Sequence, residues 1–274
     1  MPEESRQPIL AFEHVTVCFG EQEALFDVSF SAFQRESRVI LGAAGSGKTT
    51  LLKTALGLIH PDSGRVFVFG QDVTRLRERD LFDIRGKIGM LFQESALFDS
   101  LTIEENVAYP LVNQRSIHCP PAQVRPKVEQ ALNFVELGET LERFPSELSG
   151  GMRRRAAIAR AVVTEPPLLL YDSPTAGLDP ITAHTIMALL LKERDISHAT
   201  TLIVTHRYQD GNLIANFRYN SEKGELEPAR NGRRAEVRTT FMVLKEGRLI
   251  FEGSQELLES SADPYVCKFV KARE

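Results

Sequence analysis

Cysteine is scarce: Cys18, Cys119 and Cys267 are the three in 274 residues, far apart and without a CxxC spacing. That pattern excludes a disulfide framework and offers no zinc-ligand motif, so a reducing cytoplasm is the expected setting. Long hydrophobic runs are missing as well. The most apolar stretches, such as TIMALLL from Thr185, fall well short of the ~18 residues that span a bilayer. The opening MPEESRQP lacks the basic and apolar regions of a secretory signal. Any membrane association is therefore expected to come through a partner. Nor is there an excess of one charge, since 33 Lys and Arg face 37 Asp and Glu for a net charge of -4. No global field draws in nucleic acid or anionic lipid, and nucleic acid is not an expected partner.

What is present is 42% hydrophobic and 26% charged residues, the balance of a globular protein with a full core. From Ile9 to Phe33 apolar and polar residues alternate around the turn GEQE, which predicts an antiparallel strand pair. RVILG from Arg38 is a short buried strand that runs into GAAGSGKTT and then a helix to about Ile59. GRVFVFG and KIGMLFQ predict two further strands around a charged helical piece, Leu76 to Arg85. Between Glu94 and Glu165 the periodicity turns helical, with Thr102 and Glu105 spaced as a capping box. PLLLYD and TTLIVTH are apolar runs suited to central parallel strands, separated by the helix ITAHTIMALLLKERD. Gln209 to Val237 is polar and rich in turn formers, and is expected to be a mobile surface loop. The hairpin FMVLKEGRLIFEG and a short helical tail close the chain.

Two motifs carry the chemistry. Gly42 to Thr49 fits GxxxxGK[ST] between a predicted strand and a predicted helix, the context a phosphate loop requires. Backbone N–H groups from Ala44 to Thr49 can wrap phosphates at the positive helix end, Lys48 can reach the outer phosphates, and Thr49 can ligate magnesium. Gly42, Ala43, Ala44, Gly45, Ser46, Gly47, Lys48, Thr49 and Thr50 are thus candidate nucleotide-binding residues. Asp172 ends the run LLLY, where a carboxylate at the end of a central strand can face that loop and hold the magnesium shell. These motifs predict an α/β fold with a P-loop NTPase core, a parallel sheet, an N-terminal antiparallel β subdomain and a helical subdomain inserted over about 94–165. GTPases, kinases, helicases and transporter ATPases all remain open on these two motifs.

ELSGGMRRRAAIARA from Glu147 decides among them. It resembles the ATP-binding cassette (ABC) family, whose signature is LSGGQ followed by a helix with arginines. Ser149, Gly150 and Gly151 place a hydroxyl and bare N–H groups at a helix start, a site for a γ phosphate. The resemblance covers nearly the whole chain. It implies an ABC ATPase domain over 9–254, with a polar surface loop at about 209–237 and a C-terminal helical tail over 255–274. ATP with Mg2+ is the implied ligand. Gln93 matches the glutamine that senses magnesium and attacking water, His206 the switch histidine, and Asp179 of AGLDP the loop crossing a dimer interface. Phe19 matches the aromatic that stacks on adenine, although a plain core or edge phenylalanine reads the same way. In this family the signature reads a phosphate bound to the other subunit, so one motif set implies a dimer with two composite sites, most simply a homodimer. Arg153 to Arg155 point around a helix rather than along one face, which predicts a solvated helix and not a nucleic-acid stripe.

MLFQESALFDSLTIEENVAYPL, Met152 after LSGG, and GLDPITA are similar to the ATPases of Mla/Mce-type lipid transporters. That narrower resemblance implies a membrane permease, an Mce-type lipid-binding protein, and a position in the cytoplasm on the inner face of a bacterial membrane. ADPYVCKFV resembles the tail of that group, which implies contact with the neighbouring subunit. Leu97, Phe98, Leu101 and Tyr109 face either a permease helix or the core of the helical subdomain. Soluble ABC proteins of translation or repair are disfavoured, because the chain has one cassette and no long coiled-coil insertion.

Ser173 departs from the family pattern, which has glutamate directly after the strand aspartate. A serine hydroxyl can orient water but cannot take its proton usefully near neutral pH. Three accounts follow: a slow ATPase; a substitute carboxylate, with Glu94 nearest in sequence; or an ATP-gated binding module or degenerate half of a heterodimer.

Overall fold

The computed structural model describes residues 7–229 and 237–271. Most of MPEESRQP, the stretch 230–236 within the expected polar loop, and the last three residues of the tail lie outside the described residues. The alternating N-terminal segment forms β1 (Leu10–Phe19) and β2 (Gln22–Ala32), paired antiparallel from Leu10 opposite Ala32 to Phe19 opposite Gln22. Then come β3 (Glu36–Leu41), α1 (Lys48–Ala55), β4 (Ser63–Val68), β5 (Gln71–Asp72), α2 (Glu78–Arg85) and β6 (Ile88–Leu91). The helical stretch holds α3 (Ile103–Asn113), α4 (Pro121–Phe134) and α5 (Gly150–Val162). Next are β7 (Leu168–Asp172), α6 (Pro180–Ser197), β8 (Thr200–Thr205), α7 (Tyr208–Asn216), β9 (Phe217–Asn220) and β10 (Glu225–Pro228). The chain closes with β11 (Arg238–Lys245), β12 (Arg248–Gly253), α8 (Gln255–Glu259) and α9 (Pro264–Lys271).

The main sheet is ordered β12-β11-β3-β8-β7-β6, and β11, β3, β8, β7 and β6 all run parallel. Its continuous apolar runs suit a sheet covered on both faces. Alternate residues divide accordingly. Val39, Leu41, Leu169, Tyr171 and Ile203 join the core shared with α3 to α6, while Ile40, Leu168, Leu170, Leu202 and Val204 join the core shared with α1 and the antiparallel sheet. That second sheet is ordered β2-β1-β4-β5, so the main sheet is enclosed between the helical part and the N-terminal strands.

In the helical part, α3 starts at the capping box expected from sequence: Glu105 N–H donates to Thr102 Oγ1 at 3.2 Å, and Thr102 N–H donates to Glu105 Oε2 at 2.7 Å. Asn106, fully buried, then staples the preceding loop. Its amide donates to the carbonyls of Phe98, Leu101 and Thr102 and accepts from Phe98 N–H.

Two expectations are corrected. The segment 209–237 is not a plain surface loop, because α7 and the antiparallel hairpin β9-β10 occupy its described part. The hairpin is tied down by Arg194 of α6, whose guanidinium is fully buried and donates to Ile214 O at 2.6 Å and Phe217 O at 2.9 Å while pairing with Asp195. Asp195 Oδ2 in turn accepts Tyr219 N–H at 2.7 Å. The arginine run is solvated only in part: Arg153 is exposed, whereas Arg154 is buried and Arg155 half-buried. Arg153 donates to Leu148 O, Arg154 to Phe92 O and Ala176 O, and Arg155 to Val135 O, so each caps carbonyls of a different neighbouring segment.

Candidate functional site

The site gathers at the carboxyl edge of the parallel strands, where α/β sheets place ligand-binding loops. Beyond Leu41 of β3 the chain turns through Gly42 to Gly47 into α1. A Cβ at Gly42 would lie 2.3 Å from Ser46 Oγ and 2.7 Å from Leu244 O, and one at Gly47, whose φ is 102, would lie 2.3 Å from Ala24 O. These two glycines are therefore required by the tightness of the loop. Ala43, Ala44 and Gly45 are exposed at its crest, and the first turn of α1 leaves N–H groups without helical partners.

Lys48 lies folded under the loop. Its ammonium donates to Gly42 O at 2.8 Å, Ala43 O at 2.7 Å and Ser46 Oγ at 3.3 Å. Burial lowers its pKa, and the charge of Asp172 acts in the opposite direction. Thr49 Oγ1 donates to Asp172 Oδ2 at 2.8 Å, which joins the loop to the end of β7. Asp172 is buried, and its other oxygen accepts Ser173 Oγ at 3.2 Å. Ser173 sits in the left-handed region with φ 47, buried, its N–H donating to Val204 O of β8. Its hydroxyl proton is thus directed at Asp172. Thr49 and Asp172 form a hard-oxygen pair, which fits a magnesium ion that keeps waters and phosphates as its other ligands. Among the described residues no group of three or more His, Cys, Asp or Glu could hold a metal alone.

The remaining candidate residues stand on other elements. His206 is exposed just past the end of β8, and Gln93 and Glu94 are exposed just past β6. Asp179 caps α6, its Oδ1 accepting the N–H groups of Ile181 and Thr182 at 3.0 Å each. Hydrogen bonds from Thr182 hold its carboxyl below the usual range. Ser149 caps α5, its Oγ accepting Met152 N–H at 3.2 Å. A Cβ at Gly151 would come within 2.7 Å of Thr182, whereas one at Gly150 would meet nothing within 4 Å. Thr50, next to Thr49 on α1, turns partly outward. Phe19 ends β1 and is 55% exposed, so it is no core residue. Phe98 and Tyr109 form an exposed pair with ring centroids 4.6 Å apart. Leu97 is partly buried against the core, and Leu101 is half-buried.

Sequence reasoning missed Asp210. This buried carboxylate accepts the hydroxyls of Thr175 and Thr205 at 2.7 Å each, with Arg207 at 3.9 Å. It bridges the turn after Ser173 to the residue before His206. Burial raises its pKa, against the two threonine hydrogen bonds and the charges of Arg207 and His206. A polar residue of α7 has no local signal for this, since its partners belong to two other loops.

A P-loop on β3, an acid on β7, a signature serine capping α5 and a helical insertion between them define a nucleotide-binding cassette. The ABC transporter family model matches residues 25–176, and the chain belongs to that family as an ATP-binding ATPase subunit. It is 32% identical over 265 residues to the intermembrane phospholipid transport system ATP-binding protein MlaF of Haemophilus influenzae, covering 97% of this chain and 91% of that one. It is also 32% identical over 259 residues to the probable ribonucleotide transport ATP-binding protein mkl of Mycobacterium leprae, covering 94% and 67%. Among solved structures, a dimeric post-hydrolysis state of the ATP-binding cassette MJ0796 bound to ADP and Pi aligns with a TM-score of 0.73 at 30% identity, covering 89% of this chain and 98% of that chain. Structural and sequence relatives thus agree on an ABC ATPase with an α/β cassette fold. Subunits of this family work as dimers on a membrane permease, and no described helix here is long and apolar enough to cross a membrane.

Proposed function

We propose that this ATPase subunit closes as a homodimer over two ATP molecules and drives a permease that moves phospholipid or a related lipid, with slow turnover. The observation that carries the slow turnover is Ser173, whose hydroxyl donates to Asp172 where the family has a carboxylate. The loop from Gly42 to Thr50 holds the phosphates, Lys48 exchanging its long bond to Ser46 for a phosphate oxygen. Thr49, Asp172 and Gln93 would hold Mg2+, which would neutralise phosphate charge. Phe19 stacks on adenine, and His206 and Gln93 position water. Ser149, Gly150 and Gly151 of one subunit meet the phosphate on Lys48 of the other, with Asp179 beside that interface. Support for the composite site comes from Gly150, whose open side the chain's own packing does not explain.

Lipid as cargo is supported by the phospholipid system named for the Haemophilus relative and by its near full-length match. The permease, with an Mce-type lipid-binding protein, would hold this subunit at the cytoplasmic face of the membrane, where the exposed pair Phe98 and Tyr109 offers an apolar contact. Purification with the permease and extraction of bound lipid tests the cargo; a complex that carries no lipid rejects it. Slow turnover is tested by phosphate release from the complex. Ser173→Glu is expected to raise the rate by about 10² to 10⁴, the usual worth of a positioned general base, and an unchanged rate rejects the missing-base account. Failure of both the wild type and Ser173→Glu to release phosphate would favour an ATP-gated binding module or the degenerate half of a heterodimer.

A further inference from the structure

The C-terminal helix α9 touches the phosphate loop. Asp263 Oδ1 accepts the N–H groups of Tyr265 at 2.7 Å and Val266 at 3.1 Å, which fixes the start of this helix. Val266 is buried in the core. Tyr265 packs edge-on against Phe269, with ring centroids 5.3 Å apart, and beneath the ammonium of Lys245 at 5.4 Å. Its hydroxyl accepts the N–H of Ala43 at 3.1 Å and points its own proton toward Leu244 O at 3.5 Å.

The Ala43 N–H belongs to the same peptide group as the Gly42 carbonyl, and that carbonyl holds the ammonium of Lys48 at 2.8 Å. One rigid plane therefore has Tyr265 on its donor side and Lys48 on its acceptor side. Rotation of the plane would remove both bonds. The Gly42 end of the plane leaves no room for a side chain, since a Cβ there would come within 2.3 Å of Ser46 Oγ and 2.7 Å of Leu244 O, and Gly247 N–H donates to Ser46 O at 3.1 Å. The turn between β11 and β12 thus supports one end of the loop, and the tail supports its open, exposed side.

We propose that Tyr265 is a positioning residue of the nucleotide site: by fixing the Gly42–Ala43 peptide it keeps Lys48 aimed into the loop, so the C-terminal tail tunes ATP affinity within its own subunit. This rests on the ATP reading given above. Phosphates need the N–H groups from Ala44 onward, so the bond from Ala43 to Tyr265 is compatible with bound nucleotide. Removing the hydroxyl frees the peptide to rotate, and ATP must then bind at the cost of reordering it.

Tyr265→Phe keeps the ring, and with it the contacts to Phe269 and Lys245. Titration calorimetry of the full chain with Mg-ATP is expected to show binding weakened about 3- to 10-fold, the range of one neutral hydrogen bond. The unliganded Tm is expected to stay constant, because water can replace the hydroxyl at the exposed Ala43. The amide resonance of Ala43 in the unliganded protein is expected to move upfield. Equal ATP affinity in the two proteins overturns the inference. So does a loss of affinity matched by a lower unliganded Tm, which would make the hydroxyl a support of the fold. Failure of the unsubstituted chain to bind ATP would instead overturn the ATP reading, and the Ala43 resonance would still report whether the contact exists.

Discussion

Asp210 has a carboxylate that must ionise inside the protein, between Thr175 and Thr205. Its folded pKa is raised above the ordinary 3.8, so the folded state binds this proton more tightly than the unfolded chain does. Its contribution to stability is then complete below pH 3.8 and declines as pH rises toward the folded value. Asparagine at this position can still accept both hydroxyls and has no charge to bury. The difference in unfolding free energy between Asp210→Asn and wild type is therefore expected to shift in favour of the variant as pH rises from about 4 to 7, measured by urea unfolding. A difference that does not change with pH would refute this. The phosphate loop was fully legible at this scale, because Gly42, Gly47 and Lys48 are required by geometry at fixed spacing. Asp210 and Tyr265 were not legible. Tyr265 lies 222 residues from Ala43, and no local pattern marks such a partner.

At the scale of elements, the hairpin β9-β10 hangs on one buried arginine. The guanidinium of Arg194 satisfies the carbonyls that end α7 and begin β9, and its partner Asp195 holds the N–H of Tyr219. Lys192 adds a cationic contact to the faces of Phe134 and Tyr219 at 4.4 and 5.5 Å. Arg194→Ala leaves these groups buried without their partner, and is expected to cost about 3 to 5 kcal/mol in unfolding experiments. Amide exchange should rise first in β9 and β10; uniform exchange over the sheet would show that the arginine serves the whole core instead. The polar composition of 209–237 hid this hairpin, since FRYN and ELEP lack the apolar alternation that marks a half-buried strand. The arginine run was misread in part for a related reason, since Arg153 is exposed as expected but Arg154 is buried. Charged residues usually face water, but carbonyls at loop ends from Phe92, Ala176 and Val135 gather around α5. By contrast, the central strands were read from their apolar runs, which only a doubly covered sheet accommodates.

For the molecule as a whole, the question is what faces Gly150. Its backbone conformation is ordinary and a Cβ would meet nothing, so Gly150→Val should leave the monomer folded with a Tm within a few degrees of wild type. In the proposed dimer that side chain would stand against the nucleotide of the other subunit. The variant is thus expected to bind ATP and yet fail to dimerise in its presence, as measured by light scattering on a hydrolysis-slow background. Dimerisation of the variant at wild-type nucleotide concentrations would remove Gly150 from the interface.

The last third of the chain has a consequence for synthesis. β11 pairs directly with β3, and Leu244, Gly247 and Tyr265 brace a loop whose own residues emerge from the ribosome some 200 positions earlier. During translation the nascent phosphate loop lacks its floor until the final segment arrives, whatever else has already folded. Products that stop short of α9 would therefore carry the whole motif without the Tyr265 bond to Ala43.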